Sequence, residues 1–349
     1  MTPHTIPVVR VEGSYFEVGG QIGELCAETI RQAVEFAEIP AGRTRAAQLE
    51  LADAYRGVTM ETMPWAIEEV EGAAEAAGVH GLDLFACCIE EIWYEPRRPA
   101  HQKACSDLVA TPPKTDGRVL VGHNNDMSRR YQDDLIAIER LVPGDPPVFT
   151  IGNGIWISVG WNADGLSLTG NELSPNDERV GIPREIQVRA MLRDRSLDDA
   201  VATALHPARA SSYNNVLAWS DGRVANVEGS ATAVEVTEPT DGALVHTNHY
   251  VCDAMLVYEG DPAYAELSAV RYRRAAELLD GAPDGSVDEA ALRGFLSDHE
   301  HAPDSLCRHE AEGRTSVTCF WCVADVSAMR VAFGRGNPCD SVEQGFAFA

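Results

Sequence analysis

Cys105 heads a strand-like run, SDLVAT, and directly follows the proline-rich basic stretch EPRRPAHQKA at residues 95–104. A cysteine placed there can attack the carbonyl before it and cut the chain at Ala104–Cys105. The freed residue then holds a thiol and its own α-amine. An α-amine has a pKa of about 7.7 to 8.0, so at neutral pH a useful fraction is free base beside the sulfur. Such a cysteine carries its own general base and needs no papain-like histidine. A Pro and Asp-Gly turn leads from this run to a second one, RVLVGHN, with Asp126 just beyond it.

Other residues with chemical potential weigh less. Cys319-Phe-Trp-Cys322 has ligand spacing but no second pair to complete a zinc set, and the two positions of a strand three apart are expected on opposite faces. Asp298-His299-Glu300-His301 follows a helix and precedes Pro303, as a solvated helix end does, so no metal is assigned. His246 and His249 flank Asn248 and read as structural or pocket-lining groups. Gly152-Asn-Gly154 lacks the third glycine of a dinucleotide loop, and neither a P-loop nor a G-x-S-x-G string occurs. Each candidate also has a bland reading. Cys105 alone would be a buried strand thiol, Asp126 a turn residue and Asn248 a strand-end cap.

The elements that must position these groups fall into two kinds. Residues 16–38, 45–63, 66–79 and 82–95 carry apolar residues at helical spacing, with Asp83 expected to cap the last helix. After the exposed connector, SDLVAT, RVLVGHN, LIAIERLV, VFTIGN, IWISVGWN and LSLTGNEL alternate like strands between Gly, Asp, Asn and Pro turns. Helices are expected at IPREIQVRAMLRD, SLDDAVATAL, YAELSAVRYRRAAELLD and VDEAALRGFLSDHE, and further strands at NNVLAWS, VANVEGS, TAVEVTE, ALVHTN, TSVTCFWCVAD and AMRVAFG. Two strand blocks with helices between them predict an α+β sandwich, an antiparallel sheet pair covered by helices.

The 349 residues are ample for a large core, and 28 basic against 54 acidic residues leave a formal net charge of -26. That charge repels nucleic acid and anionic lipid, so neither is expected as a partner. The acidic residues are spread along amphipathic stretches, which reads as solubility. No signal-peptide-like opening or membrane-length apolar run occurs, and nine cysteines form no regular framework, so a cytoplasmic protein with mostly buried thiols is expected.

Cys105, GHNNDM (122–127), VHTNH (245–249), SLCRHE (305–310) and GRGNPCDS (334–341) together resemble the penicillin acyltransferase family of N-terminal nucleophile hydrolases, which includes isopenicillin N acyltransferase. GSYFEVGGQIG, NADGLSLTGNEL and GIPREIQVRAML extend the resemblance over nearly the whole chain. It implies a four-layer αββα sandwich with a helical N-terminal segment. It also implies that residues 1–104 become a pro-segment, the α chain, and residues 105–349 the catalytic β chain, the two staying together as one compact heterodimeric unit. By the same resemblance Cys105 cleaves Ala104–Cys105 and is then the nucleophile. Asp126 orients the cysteine amine or helps cleavage, and Asn248 donates its amide to the oxyanion. Asn125, Arg308 and Thr315 are the implied substrate contacts, with no cofactor and no metal. The chain departs from the family pattern at Ala104, commonly Gly, at Ser106-Asp107, commonly hydroxyl residues, at Asn125, often aromatic, and at Arg314-Thr315-Ser316, where a Ser-Arg pair is expected.

The reading is a self-processing cysteine amidohydrolase that cleaves the amide of a small N-acylated metabolite through an S-acyl-enzyme. An acyltransferase moving the acyl group to an amine is the first alternative. A catalytically silent scaffold that keeps the fold without processing is the second, and an internal Cys–His enzyme that acts without cleavage is the third.

Overall fold

The computed structural model describes residues 4–37, 39–40, 42–93, 104–312 and 316–348. Of the connector at 95–104 only Ala104 is among them, and the proposed substrate contact Thr315 lies outside the described residues, as does Arg314.

After a short strand, β1 (Val8–Glu12), the first third forms the expected helical layer: α1 (Tyr15–Leu25), α2 (Ala27–Glu35), α3 (Arg45–Thr62), α4 (Pro64–Ala77), α5 (Gly81–Cys87) and α6 (Glu90–Trp93). The stretch read as one helix over 16–38 breaks at Cys26, which ends α1 and starts α2. Ser14 opens α1 with a reciprocal capping box to Glu17. The glycines of this layer serve packing. A Cβ on Gly19 would sit 2.0 Å from the Glu69 carbonyl oxygen, and one on Gly72 would sit 2.1 Å from that of Phe16, so the backbones of α1 and α4 touch directly. The expected cap at Asp83 is not made. His80 caps α5 by accepting from the Leu82 N–H, while Asp83 sits in the first turn and binds Arg45 at 2.6 Å.

The rest of the chain builds two sheets from β2 (Ala104–Ala110), β3 (Leu120–Ser128), β4 (Ile136–Leu141), β5 (Val148–Asn153), β6 (Trp156–Asn162), β7 (Leu166–Asn171), β8 (Asn214–Trp219), β9 (Val224–Gly229), β10 (Val234–Thr237), β11 (Ala243–His246), β12 (Ser316–Asp325), β13 (Arg330–Arg335) and β14 (Gln344–Ala347). Its helices are α7 (Arg129–Asp133), α8 (Arg184–Met191), α9 (Leu197–Ala204), α10 (Pro262–Asp280) and α11 (Glu289–Leu296). Among the described residues one sheet runs β1-β4-β5-β6-β7-β8-β9-β10 and the other β11-β2-β3-β12-β13-β14. The pairings are antiparallel except β1 with β4, where the N-terminal strand joins the larger sheet in parallel from far away in sequence. Neither β1 nor β14 is marked by the sequence pattern.

Alternation along the strands sorts the core into layers. On β2, Val109 faces the other sheet and packs with Phe149, Val216 and Phe320, whereas Leu108 and Ala110 face outward against Leu279 and Leu292 of α10 and α11. On β4, Ala137 faces inward, and Ile136 and Ile138 face the N-terminal helices. Helices α8 and α9 cover the same side of the larger sheet through Met191 and Leu197. Each such burial contributes about 1.5–3 kcal/mol. The outcome is helix, sheet, sheet, helix: the four layers that the resemblance implies.

Cys319 and Cys322 depart from simple alternation. A bulge between Thr318 and Phe320 shifts the register of β12 against β3, and both cysteines pack in the core between the sheets rather than on opposite faces. Among the described residues no helix is long and apolar enough to cross a membrane.

Candidate active site

The site is set by the pairing of β2 with β3: Ala104 faces Asp126, Cys105 faces Asn125, and Asp107 faces His123. Side chains two apart share a face, so Cys105, Asp107, Asn125 and His123 all point into the gap between the sheets, on the row that Val109 and Val121 continue. Cys105 is 7% exposed and Ala104 is fully buried.

Three groups hold Cys105. Its backbone N–H donates to the Asn248 side-chain oxygen at 2.8 Å. Its carbonyl accepts from Arg271 Nη1 at 2.5 Å, and Asn125 Nδ2 lies 3.7 Å from its sulfur. Asn248 in turn accepts from Arg271 Nη2 at 2.9 Å and spends its own NH2 on the Glu172 carbonyl, 3.1 Å away across the sheets. The structure therefore turns the acceptor oxygen of Asn248 toward the cysteine nitrogen and its NH2 toward the Glu172 carbonyl.

The VHTNH run is rigid for a reason visible around His246. Glu228 accepts from His246 Nε2 at 2.8 Å and from the backbone N–H groups of Val251 and Cys252 at 2.7 and 2.9 Å, which pins the turn that carries Asn248. Burial opposes the charge of Glu228, but His246 and these N–H groups hold its carboxyl below the usual range. The Asn248 N–H donates to Ser268 Oγ of α10 at 2.7 Å. His249 is pushed down to about 4, by burial first and then by His246 and Arg271, so it is a poor base at neutral pH. His249 Nδ1 lies 3.0 Å from Ser268 Oγ, so both histidines are bonded within the turn that carries Asn248.

Asp126 sits opposite Ala104, the residue before Cys105. It is fully buried, accepts from Thr318 Oγ1 at 2.7 Å, and lies 3.5 Å from Arg308 Nε. Burial raises its pKa in spite of Arg308 and Arg271. Arg308, expected to contact substrate, is thus engaged with Asp126, and its Nη1 donates to Ser316 Oγ at 3.0 Å. Asn125 lies at the Cys105 sulfur.

Two features of the site have no counterpart in the sequence reading. One is Arg271, fully buried on α10 and bonded through its two Nη atoms to neutral acceptors: the Cys105 carbonyl, Ser106 Oγ and Asn248 Oδ1. Its Nε has no hydrogen-bond partner among the described residues. Asp261 caps α10 with Pro262 in its first turn, which fixes the helix that delivers this charge. The other is the Asp107–His123 pair, 2.9 Å apart and fully buried. Burial disfavours the imidazolium, but the Asp107 carboxylate outweighs it and raises His123 to about 10, with Cys105 a further neighbour in the same direction. The alternation of Cys105 with Asp107, and of Asn125 with His123, is the signal that places all four together.

The arrangement can bind the nitrogen of Cys105, bring cationic groups to its carbonyl and sulfur, and exclude bulk water from both. Residues 113–339 match the family of acyl-coenzyme A:6-aminopenicillanic acid acyl-transferase, a match that begins eight residues after Cys105. None of the curated proteins matches the chain. Among solved structures, the chain is similar to the Caenorhabditis elegans ortholog of N-acylethanolamine-hydrolyzing acid amidase, at 14% identity over 64% of this chain and 93% of that one, with a TM-score of 0.47. It is also similar to a variant of conjugated bile acid hydrolase from Clostridium perfringens, at 14% identity over 70% of this chain and 97% of that one, with a TM-score of 0.48. The family match, which spans well over half of the residues, decides the assignment: the chain belongs to the acyl-coenzyme A:6-aminopenicillanic acid acyl-transferase family and is an enzyme.

Proposed function

We propose that the chain is a self-processing cysteine amidohydrolase whose nucleophile is the thiol of Cys105, freed at the start of a β chain comprising residues 105–349. The observation that carries this reading is the grip on the Cys105 nitrogen: a buried peptide N–H at the head of β2 is bonded to the oxygen of Asn248 rather than to the β-ladder. The same oxygen suits an α-amine after cleavage.

Activation is an N-to-S shift. The Cys105 thiolate adds to the Ala104 carbonyl, the C–N bond breaks as the nitrogen takes a proton, and water then hydrolyses the thioester. Residues 1–104 remain packed as the α chain. In turnover the α-amine takes the thiol proton, the sulfur attacks the amide carbon of a small N-acylated metabolite, and the α-amine returns the proton to the departing amine. Water resolves the S-acyl-enzyme and leaves a carboxylic acid. Asn125 is the donor nearest the sulfur, Arg271 holds the carbonyl of Cys105 itself, and we assign Asn248 to hold the amine.

A second reading, cysteine–histidine catalysis without cleavage, is favoured by the Asp107–His123 pair beside the sulfur. An imidazolium there supplies positive charge where an attacking sulfur needs it, in either scheme. Acyl transfer to an amine is the third reading, in keeping with the family description.

The test uses a panel of N-acyl amides of varied chain length with the purified protein, quenched in acid and read by mass spectrometry of the peptide that begins with Cys105. An added acyl mass on that peptide, shortened in lifetime by water alone, supports hydrolysis. A lifetime shortened only by added amines supports transfer. No acyl adduct with any amide, in protein that is cut at Cys105, contradicts the amidohydrolase reading.

A further inference from the structure

Away from Cys105, two loops bring four ligand-type side chains together. His299 lies just after α11, Cys307 and His309 lie in the loop leading to β12, and Cys339 lies in the connection between β13 and β14. One ligand atom from each falls within 4.8 Å of the others. The run Asp298-His299-Glu300-His301 carries no metal when read by itself, and only His299 of it enters the cluster. The partners that complete it are 8, 10 and 40 residues further on.

The distances have the pattern of a coordination tetrahedron. Zinc binds sulfur at about 2.3 Å and imidazole nitrogen at about 2.0–2.1 Å, so tetrahedral angles require edges of about 3.8 Å between sulfurs, about 3.6 Å between sulfur and nitrogen, and about 3.3 Å between nitrogens. Cys307 Sγ and Cys339 Sγ are 3.7 Å apart. His309 Nε2 is 3.6 Å from the first sulfur and 3.5 Å from the second, and 3.0 Å from His299 Nε2. These four edges match those of the tetrahedron, and the two from His299 to the sulfurs are within 4.8 Å. Two histidines and two thiols pressed together with nothing between them would have little to gain from one another.

The surroundings suit a cation. Asn337 Nδ2 donates toward Cys307 Sγ at 3.3 Å and to the Arg308 carbonyl at 2.8 Å, the kind of outer hydrogen bond that steadies a metal-bound thiolate. The Cys307 N–H is held by the Asp298 carbonyl at 3.0 Å, and its carbonyl by Ser305 Oγ at 2.6 Å.

We propose that His299, Cys307, His309 and Cys339 form a closed structural site for a divalent zinc ion. The two thiols each lose a proton to solvent as their Zn–S bonds form, so two thiolates balance the ion's charge and no electron is transferred. With all four positions filled by protein the ion has no open site for a substrate, and its role is to staple the loop after α11 to the connection after β13. Arg308 lies between two of the ligands, so the staple also fixes the guanidinium that faces Asp126. This site stands independently of the chemistry assigned to Cys105.

The test is metal analysis of the full chain purified from zinc-supplemented culture, with Cys339→Ser and His299→Ala beside it. Both substituted side chains are exposed, so the variants should fold, and far-ultraviolet circular dichroism checks that they do. The expected result is one zinc per chain in the wild type, lost from both variants. Zinc-depleted protein titrated with cobalt(II) alone should also develop thiolate-to-cobalt charge transfer and the visible bands of a tetrahedral ion. Wild-type protein that holds no stoichiometric zinc and gives no tetrahedral cobalt spectrum would overturn the proposal. So would zinc that survives in both variants, or a Cys307–Cys339 disulfide in freshly purified, metal-free protein.

Discussion

The backbone nitrogen of Cys105 donates to the side-chain oxygen of Asn248 at 2.8 Å, and Arg271 holds that same oxygen from the other side at 2.9 Å. The NH2 of Asn248 meanwhile belongs to the Glu172 carbonyl. Asn248→Asp keeps the acceptor and deletes the donor, whereas Asn248→Leu deletes both. If Asn248 serves to hold the amine, the Asp variant still cuts itself and keeps its turnover within about tenfold, and the Leu variant loses both. An oxyanion donor lost at this position would instead cost about 3 kcal/mol, roughly a hundredfold in turnover, in the Asp variant as well. Single-turnover rates of the two variants separate these outcomes.

Asp107 and His123 form a buried ion pair, so removing one partner leaves the other uncompensated. Asp107→Asn should destabilise the protein by about 3–5 kcal/mol in denaturant unfolding. A change under about 1 kcal/mol would show that the pair is not charged in the folded protein.

The same pair predicts a pH window. His123 is raised in the folded state from its ordinary 6.5 to about 10, so the stability it contributes is complete below about 6.5 and is lost as pH rises through about 10. Thermal midpoints of the wild type should fall across that interval more steeply than those of His123→Gln. Parallel slopes would contradict the assignment.

Asp126 faces Ala104, the residue before the proposed cleavage point, and keeps its hydrogen bond from Thr318 when changed to Asn. Asp126→Asn should therefore fold and yet slow self-cleavage by about 10²-fold or more, if its carboxyl moves or steadies a proton in that step. An unchanged half-time on denaturing gels would leave it a purely structural partner of Arg308.

Gly19 tests the helical layer without touching the site. An alanine there drives its methyl group to within 2.0 Å of the Glu69 carbonyl oxygen, so α1 must move off α4. Gly19→Ala should cost about 1–3 kcal/mol or more. Gly57→Ala, where a Cβ meets nothing within 4 Å, is the control and should be neutral or slightly stabilising.

Much of this architecture is legible from pattern alone. VFTIGN is β5 residue for residue, and the helices around GGQIG, AAQLELA and YAELSAVRY all form where the apolar spacing places them. Cys105 and Asn248 lie together although 143 positions separate them, as the joint resemblance of their motifs implies. What stays hidden depends on distant partners. Strand β1 is five residues long and gains its identity only from β4. Arg271 shares α10 with the exposed Arg273 and the half-buried Arg274, and no spacing rule tells the fully buried guanidinium from the other two. The bulge in β12 defeats the alternation that would separate Cys319 from Cys322. Likewise the His299 cluster draws on two loops, so no one stretch displays its ligand set.

The central claim is that Cys105 starts a mature chain, and intact-mass spectrometry under denaturing conditions tests it most directly, with Cys105→Ala measured beside the wild type. The account predicts two wild-type species that meet between Ala104 and Cys105, and one uncut species for the variant. A single uncut wild-type mass that persists on long incubation would contradict it.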